Sequence, residues 1–272
     1  MSATETFQIS IEQAEAYEAQ LVPALFEEWA GRLVDAAGVA PDQRVLDVAC
    51  GTGVVARAAA ELVVGHGKVV GHGKVVGLDM NDAMLTVARR LRPDLEWRQG
   101  DAARLPFPDR SFDVVLCQSG LMFFPDVEGA LREMARVIVD GGTVGVQVWD
   151  RRESQPAYSP FIEVAARHAG PDAIDLLSTY FVRGDLDELG SSLASAGLDV
   201  ISIRTEESTL TFASIDELVT AEVQSTPLGE RLSDDAMHGI VEDARVALAS
   251  FCAEDGTARI PIRGHVVVAK GR

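Results

Sequence analysis

Between residues 45 and 48 the chain reads Val-Leu-Asp-Val, and it runs on through Ala49-Cys50-Gly51-Thr52-Gly53 into an alanine-rich stretch from 54 to 62. A short apolar run that meets a glycine turn and then a helical pattern predicts a buried strand feeding a helix at the corner of an open α/β sheet. The alternation continues. Strands are predicted at about 75–78, 95–98, 112–117 and 143–149, with helices at 81–90 and 127–139 between them. Asn81 or Asp82 is placed to cap the first of those helices, with Met84, Leu85 and Ala88 on its inner face. Leu105-Pro106-Phe107-Pro108 reads as a stiff connection, and Asp140-Gly141-Gly142 as a tight turn before the fifth strand.

Either side of this core the pattern loosens. Residues 9–37 have helical periodicity, with Tyr17, Leu21, Leu25 and Phe26 on one face and Pro23 set to bend or divide the segment. Such a helix either packs as a plain buried face or brings Tyr17, Phe26 and Trp29 over a ligand mouth. After Asp150, helices are predicted at 156–169, 173–181, 185–196 (stopped by Gly197), 214–223 and 234–251, with strands at 200–212 and 260–270. The organisation is one domain in three parts: a helical segment over 1–40, a core over 41–150, and a completion of the sheet with inserted helices over 151–272.

A hexad complicates the second strand. Val63-Val64-Gly65-His66-Gly67-Lys68 is followed at once by Val69-Val70-Gly71-His72-Gly73-Lys74, and a third copy begins as Val75-Val76-Gly77 before continuing Leu78-Asp79. Only the third copy puts an acid at the end of the strand. An acid that holds a cofactor ribose is expected about 20 residues beyond the glycine turn. Asp79 lies 26 residues after Gly53, so one hexad is in excess and reads as a tandem duplication. A metal site on His66 and His72 lacks a third ligand.

Composition narrows the class of partner. With 42 acidic and 24 basic residues the chain carries a formal charge of −18, which repels a nucleic-acid backbone and favours a small-molecule ligand. No apolar run is long enough to span a membrane, and the first fifteen residues lack the order of a signal peptide. Cys50, Cys117 and Cys252 form neither a disulfide framework nor a metal-ligand spacing, so a cytoplasmic location is expected. No metal is expected.

The candidate chemistry sits at strand ends. Asp47 precedes Gly51 by four residues, Asp79 ends the second strand, Asp101 follows the third, and Gln118 follows the fourth. All four face the crevice at the carboxyl ends of the strands in an open α/β sheet. The glycines with Ala56 fit a dinucleotide fingerprint, but Asp47 makes the corner hostile to a pyrophosphate. An adenosyl cation without phosphate suits it better.

On these residues the sequence resembles the class I S-adenosylmethionine-dependent methyltransferases of the ubiquinone/menaquinone type. The run from Val45 to Gly53 looks like the first motif of that family, Gly77-Leu78-Asp79-Met80 the second, and Gly100-Asp101-Ala102 the third. Phe112-Asp113-Val114-Val115-Leu116-Cys117, Leu105-Pro106-Phe107 and the Gly141-Gly142 turn also match. The resemblance implies a Rossmann-like three-layer αβα sandwich, with a mostly parallel seven-stranded sheet, an antiparallel last strand and helical cap insertions. It implies S-adenosyl-L-methionine as cofactor and a small-molecule methyl acceptor. By position, Asp47, Ala49, Gly51, Thr52 and Gly53 would hold the methionine end, with Tyr17 closing over it. Asp79 would take the ribose hydroxyls, Met80 would pack on the adenine, Asp101 and the Ala102 amide would bond its edge, and Gln118 would line the wall near the sulfonium. Asp79 and Asp101 also suit plain turn or cap roles.

No general base is evident. His168 and His238 lie in the inserted helices and are the candidates to face the acceptor; His265 and Cys117 are weaker ones. The inserted segments, with Phe161, Tyr180, Phe181 and Phe251 among acids, suggest a partly apolar acceptor cap. A nucleotide-dependent oxidoreductase and a non-catalytic binding protein of the same fold are the alternative readings.

Overall fold

The seven predicted strands form one sheet in the order β3-β2-β1-β4-β5-β7-β6. They are β1 (Arg44–Val48), β2 (Lys74–Asp79), β3 (Glu96–Gln99), β4 (Phe112–Gln118), β5 (Ile138–Trp149), β6 (Leu198–Phe212) and β7 (Ala258–Gly271). A computed structural model describes residues 9–63, 73–226, 228–229 and 231–271. Most of the second hexad and the histidines His66 and His72 lie outside the described residues. The third hexad copy supplies β2, whose last residue is Asp79.

β1 pairs in parallel with both β2 and β4, so the chain order reverses at β1 and a crevice opens beyond its carboxyl end. β7 runs antiparallel to β5 and β6. Alternate residues face opposite sides of the sheet. Val45, Val75 and Val114 join one core layer with α2 (Glu27–Ala37) and α3 (Val54–Val63). Leu46, Val76 and Val115 join the other, against α5 (Val127–Val137) and α8 (Leu186–Ser195). Strands covered on both faces read as continuous apolar runs, which is why β1, β2 and β4 stand out in the sequence.

The turn expected at Asp140-Gly141-Gly142 is instead a bulge inside β5. The strand starts at Ile138, directly after α5, and its partner on β4 jumps from Phe112↔Ile138 to Val114↔Thr143. Gly141 has φ +72°, and a Cβ on Gly142 would lie 2.9 Å from the Asp113 carbonyl oxygen. The two glycines therefore let the strand resume pairing after the extra residues.

The amino-terminal segment is a continuous helix whose middle is wound differently. α1 (Ile11–Ala16) starts with a capping box between Ser10 and Gln13. Tyr17–Phe26 is π-helical and contains Pro23, and Glu27 N–H bonds the Val22 carbonyl five residues back. Proline cannot donate to the ladder, and the wider winding carries the chain past it into α2. Beyond β5, α6 (Tyr158–Ala169) packs on α7 (Asp172–Ser178) and α10 (Asp234–Ala247), and α10 also packs on α9 (Ile215–Gln224). The helices expected to reach Phe181 and Phe251 end earlier, at Ser178 and Ala247, each followed by a single 3₁₀ turn nearby. α4 (Asp82–Leu91) starts at the Asn81 cap, whose Oδ1 accepts from the Ala83 and Met84 amides. Among the described residues no helix is long and apolar enough to cross a membrane.

Candidate functional site

The reversal at β1 and β4 creates a cavity walled by three parts of the chain. The turns after β1, β2, β3 and β4 form one side, the π-helical segment forms a roof, and α6, α9 and the turn after α7 close the far end. Of the residues singled out in the sequence, Tyr17, Asp47, Ala49, Gly51, Asp79, Met80, Asp101, Ala102 and Gln118 all line it. Leu21, Leu25 and Phe26 do so too, and the Tyr17 and Phe26 rings sit 5.2 Å apart.

The backbone at the corner is held in an unusual form. Ala49 has φ +56° and Ser119, just after β4, has φ +49°, conformations that cost roughly 1–3 kcal/mol for residues other than glycine. The two turns touch, since a Cβ on Gly120 would lie 2.8 Å from both the Ala49 Cβ and the Cys117 Sγ. Thr52 and Gly53 are turned away from the cavity. Thr52 is buried, and Gly53 has φ +90° with the Trp97 ring where its Cβ would stand, 2.2 Å from Cη2. Trp97 lies equally close to Gly77, so one indole on β3 wedges beneath both the glycine turn and the second motif. Its Nε1 donates to the Arg92 carbonyl at 2.8 Å, which fixes the ring. Trp97 is not identifiable as this wedge from sequence, since glycines at 53 and 77 indicate close approach but not what approaches.

Four carboxyl groups line the cavity: Asp47, Asp79, Asp101 and Glu222. No lysine, arginine or histidine is among the described lining residues. Asp47 is 1% exposed; its Oδ2 accepts the Ala56 amide at 2.9 Å, while its Oδ1 is buried without a partner. Burial, first, and then the Asp79 charge push its pKa up to about 8, against the pull of the Ala56 amide. Leaving such an acceptor unpaired costs on the order of 1–3 kcal/mol, which a cationic or hydrogen-bonding ligand would offset. Asp79 accepts from Gly51 N–H through Oδ2 and Asn81 N–H through Oδ1, both at 2.8 Å. Burial also pushes its pKa up. Asp101 caps the 3₁₀ turn at Ala103, bonding its amide at 2.9 Å. Gln118 donates to the Phe26 carbonyl at 3.0 Å and so ties the roof to β4, leaving its own Oε1 buried and unpaired. Arg57 adds a second tie, reaching the Thr52 carbonyl at 2.7 Å and the Glu18 carboxylate at 2.8 Å.

The structure also sorts the weaker candidates. Trp29 does not reach the cavity: it is fully buried in the core, edge-on to Trp149 at 5.2 Å. His168 faces α10, where its ring packs against Gly239 and its Nε2 lies 3.0 Å from Asp243. His238 is exposed beside Glu242. Neither histidine lines the cavity, because both point along the outer contacts of the cap helices. Cys117 is fully buried beneath the turn, and His265 is buried in β7 with Nδ1 2.8 Å from Thr205 Oγ1. The acidic residue that does reach the far end is Glu222 on α9, which the sequence reading passed over. Its signal was present: Ile215, Leu218, Val219, Glu222 and Thr226 fall at helical spacing, so the acid occupies the apolar stripe.

Comparison with known proteins gives concordant matches. The family described as "Methyltransferase domain" matches residues 46–146. The demethylmenaquinone methyltransferase of Renibacterium salmoninarum is 41% identical over 133 residues, covering 49% of this chain and 51% of that one. The ubiquinone/menaquinone biosynthesis C-methyltransferase UbiE of Cronobacter sakazakii is 33% identical over 191 residues, 64% of this chain and 73% of that one. The chain spans about half the length of several of the curated relatives it matches. In fold, the YcgJ protein of Bacillus subtilis superposes with a TM-score of 0.60 at 21% identity, covering 90% of this chain and 98% of that one.

Proposed function

The chain belongs to the class I S-adenosylmethionine-dependent methyltransferases of the ubiquinone/menaquinone type, and from that premise we propose that it transfers a methyl group to a small acceptor held in this cavity. The observation that carries the reading is the cavity's charge: four carboxyl groups, no basic side chain among the described lining residues, and an unpaired buried oxygen on Asp47. A pyrophosphate would be repelled there, whereas a cationic adenosyl group is matched to it.

The residues present fit that cofactor. Each Asp79 oxygen holds one backbone N–H and retains acceptor capacity, as two neighbouring ribose hydroxyls require. Asp47 Oδ1 would accept from the ammonium of the methionine end, beside Ala49 and Gly51. Met80 would pack on the adenine, with Asp101 and the Ala102 amide at its edge. When bound, S-adenosylmethionine supplies an already activated methyl group. The chain's part is to orient and to exclude water: Tyr17, Leu21, Leu25 and Phe26 roof the cavity, and alignment of this kind is worth on the order of 7–11 kcal/mol. The aromatic far end suits an apolar acceptor, and the quinone rings in the relatives' names are the first class to try.

Titration calorimetry with S-adenosylmethionine and with NAD, followed by S-adenosylhomocysteine release on a panel that includes a demethylmenaquinol analogue, tests the proposal. Binding of S-adenosylmethionine and not NAD is expected, with release that depends on an added acceptor. Binding of NAD alone would refute it.

A further inference from the structure

Among the aromatic rings that line the cavity from the cap helices stands one acid. Glu222 is 5% exposed, and its Oε1 accepts the Tyr158 hydroxyl at 2.7 Å. Tyr158 lies 5.1 Å, ring to ring, from Phe181, and Tyr180 lies 6.0 Å from Phe123, each pair edge-on. α9 delivers the carboxyl, α6 the tyrosine that holds it, the turn after α7 Tyr180 and Phe181, and the turn after β4 Phe123. Burying a carboxyl in such surroundings is costly unless its oxygens are hydrogen-bonded. Tyr158 takes one of the roughly four acceptor positions a carboxylate has, and Glu222 lines the cavity as well.

Resting on the methyltransferase reading above, we propose that Glu222, oriented by Tyr158, is the catalytic residue that accepts the proton a hydroxyl-bearing aromatic acceptor gives up on methylation. In that step the electron pair of the acceptor's oxygen, or of the ring carbon it activates, forms the bond to the methyl carbon. The methyl–sulfur bond breaks with its pair passing to sulfur, and the acceptor's proton passes to the carboxylate, so charge and atoms balance. An anionic acceptor is disfavoured, because no basic side chain is among the described lining residues.

The electrostatics suit the task. Burial pushes the Glu222 pKa up to about 7, with the Tyr158 hydrogen bond pulling the other way. Tyr158 on α6 and Tyr180 after α7 face it, and burial together with the Glu222 charge pushes both tyrosines up. They stay protonated while the carboxyl ionises across neutrality, which is where a general base is most effective.

The test measures binding of 2-naphthol, naphthalene and 2-naphthylmethylamine to the S-adenosylhomocysteine-loaded protein by calorimetry between pH 6 and 8. The wild type should hold 2-naphthol about tenfold or more tighter than naphthalene at pH 8, as one hydrogen bond to a charged group provides. That advantage should shrink several-fold at pH 6, where the carboxyl takes up its proton. Glu222→Gln should lose both the advantage and its pH dependence. Tyr158→Phe should keep the advantage but move its midpoint to higher pH, since the lost hydroxyl stabilised the anion. Equal binding of naphthol and naphthalene, binding of neither, tighter binding of the amine, or an unmoved midpoint in Tyr158→Phe would overturn the proposal. S-adenosylhomocysteine affinity, measured first on each variant, checks folding. If the wild type fails to bind it, the methyltransferase reading itself falls.

Discussion

Replacing Asp47 with asparagine isolates the charge of the cofactor corner with little change of shape. The amide oxygen can still accept the Ala56 N–H now held at 2.9 Å, so the turn keeps its anchor. What is lost is an ionisable carboxyl lining the cavity, with one oxygen unpaired. With a pKa of about 8, Asp47 is only about 1% ionised at pH 6 and about half ionised at pH 8. If its anion is the form that pairs with the cofactor ammonium, affinity should rise by a few tens of fold across that interval, and binding at pH 7 should release close to one proton. Asp79, whose pKa burial also raises, acts in the same direction. Asp47→Asn should flatten most of the pH dependence and weaken binding at pH 8 by about ten- to a hundredfold, the worth of a hydrogen bond to a charged group. Adenosine, which lacks the ammonium, is the control and should bind both proteins alike. Calorimetry in buffers of different ionisation enthalpy reads the affinity and the proton together. Equal wild-type affinity at pH 6 and pH 8, or a variant that binds like wild type at pH 8, would refute the reasoning. The unliganded protein gives an independent check on sign. A folded pKa raised above the unfolded one contributes stability that is complete below the unfolded value and is lost as pH rises through about 8. Ligand-free Asp47→Asn should therefore gain in melting temperature over wild type as pH increases from 6 to 9.

Two other outcomes follow from the geometry and a third from the sequence repeat. Gly53→Ala puts a methyl group into the Trp97 ring at a backbone with φ +90°, and should cost about 2–4 kcal/mol in denaturant unfolding. Adding Trp97→Ala should restore part of that loss in a double-mutant cycle, and strict additivity would show that the contact is not the cause. Asp79→Ala strands the Gly51 and Asn81 amides as well as the ribose contact, so both cofactor affinity and stability should fall; wild-type affinity would remove Asp79 from the site. Deleting residues 67–72, one hexad, should leave cofactor affinity within about twofold, since the extra loop closure is worth only tenths of a kcal/mol. A large loss on calorimetry would sink the duplication reading.

The side of the cavity proposed for the cofactor was legible because its residues are local to strand ends. Asp79 and Gln118 end the apolar runs of β2 and β4, Asp47 lies within that of β1, and Asp101 follows the short polar strand β3; β1, β2 and β4 announce themselves by being covered on both faces. What was misread lies where sequence distance hides contact. The Asp140-Gly141-Gly142 stretch has the composition of a turn, and only the pairing of β5 with β4 shows it to be a bulge. Trp29 has the spacing of the roof helix but does not line the cavity: it is fully buried behind Trp149, edge-on at 5.2 Å. His168 and His238 drew notice as titratable side chains on cap helices, yet helix-to-helix packing turns one toward Asp243 and solvent takes the other.

The far end of the cavity illustrates a different kind of illegibility. Glu222, Tyr158 and Tyr180 come from three helical pieces that no sequence motif links, and they meet only because α6, α7, α9 and α10 pack on one another above the sheet. On the proposed reading such a site can change its acceptor without disturbing the strands beside it. The half at the strand ends is tied to backbone geometry: the strained turns at Ala49 and Ser119, and the glycines pressed on Trp97, tolerate little substitution. The half under the cap helices is tied to side chains on packed helices, where a swap of similar volume costs little. Chemical identity on that side thus rests on a few polar atoms in apolar surroundings, and a buried carboxyl on the apolar stripe of a cap helix is the feature to look for when reading the next such sequence.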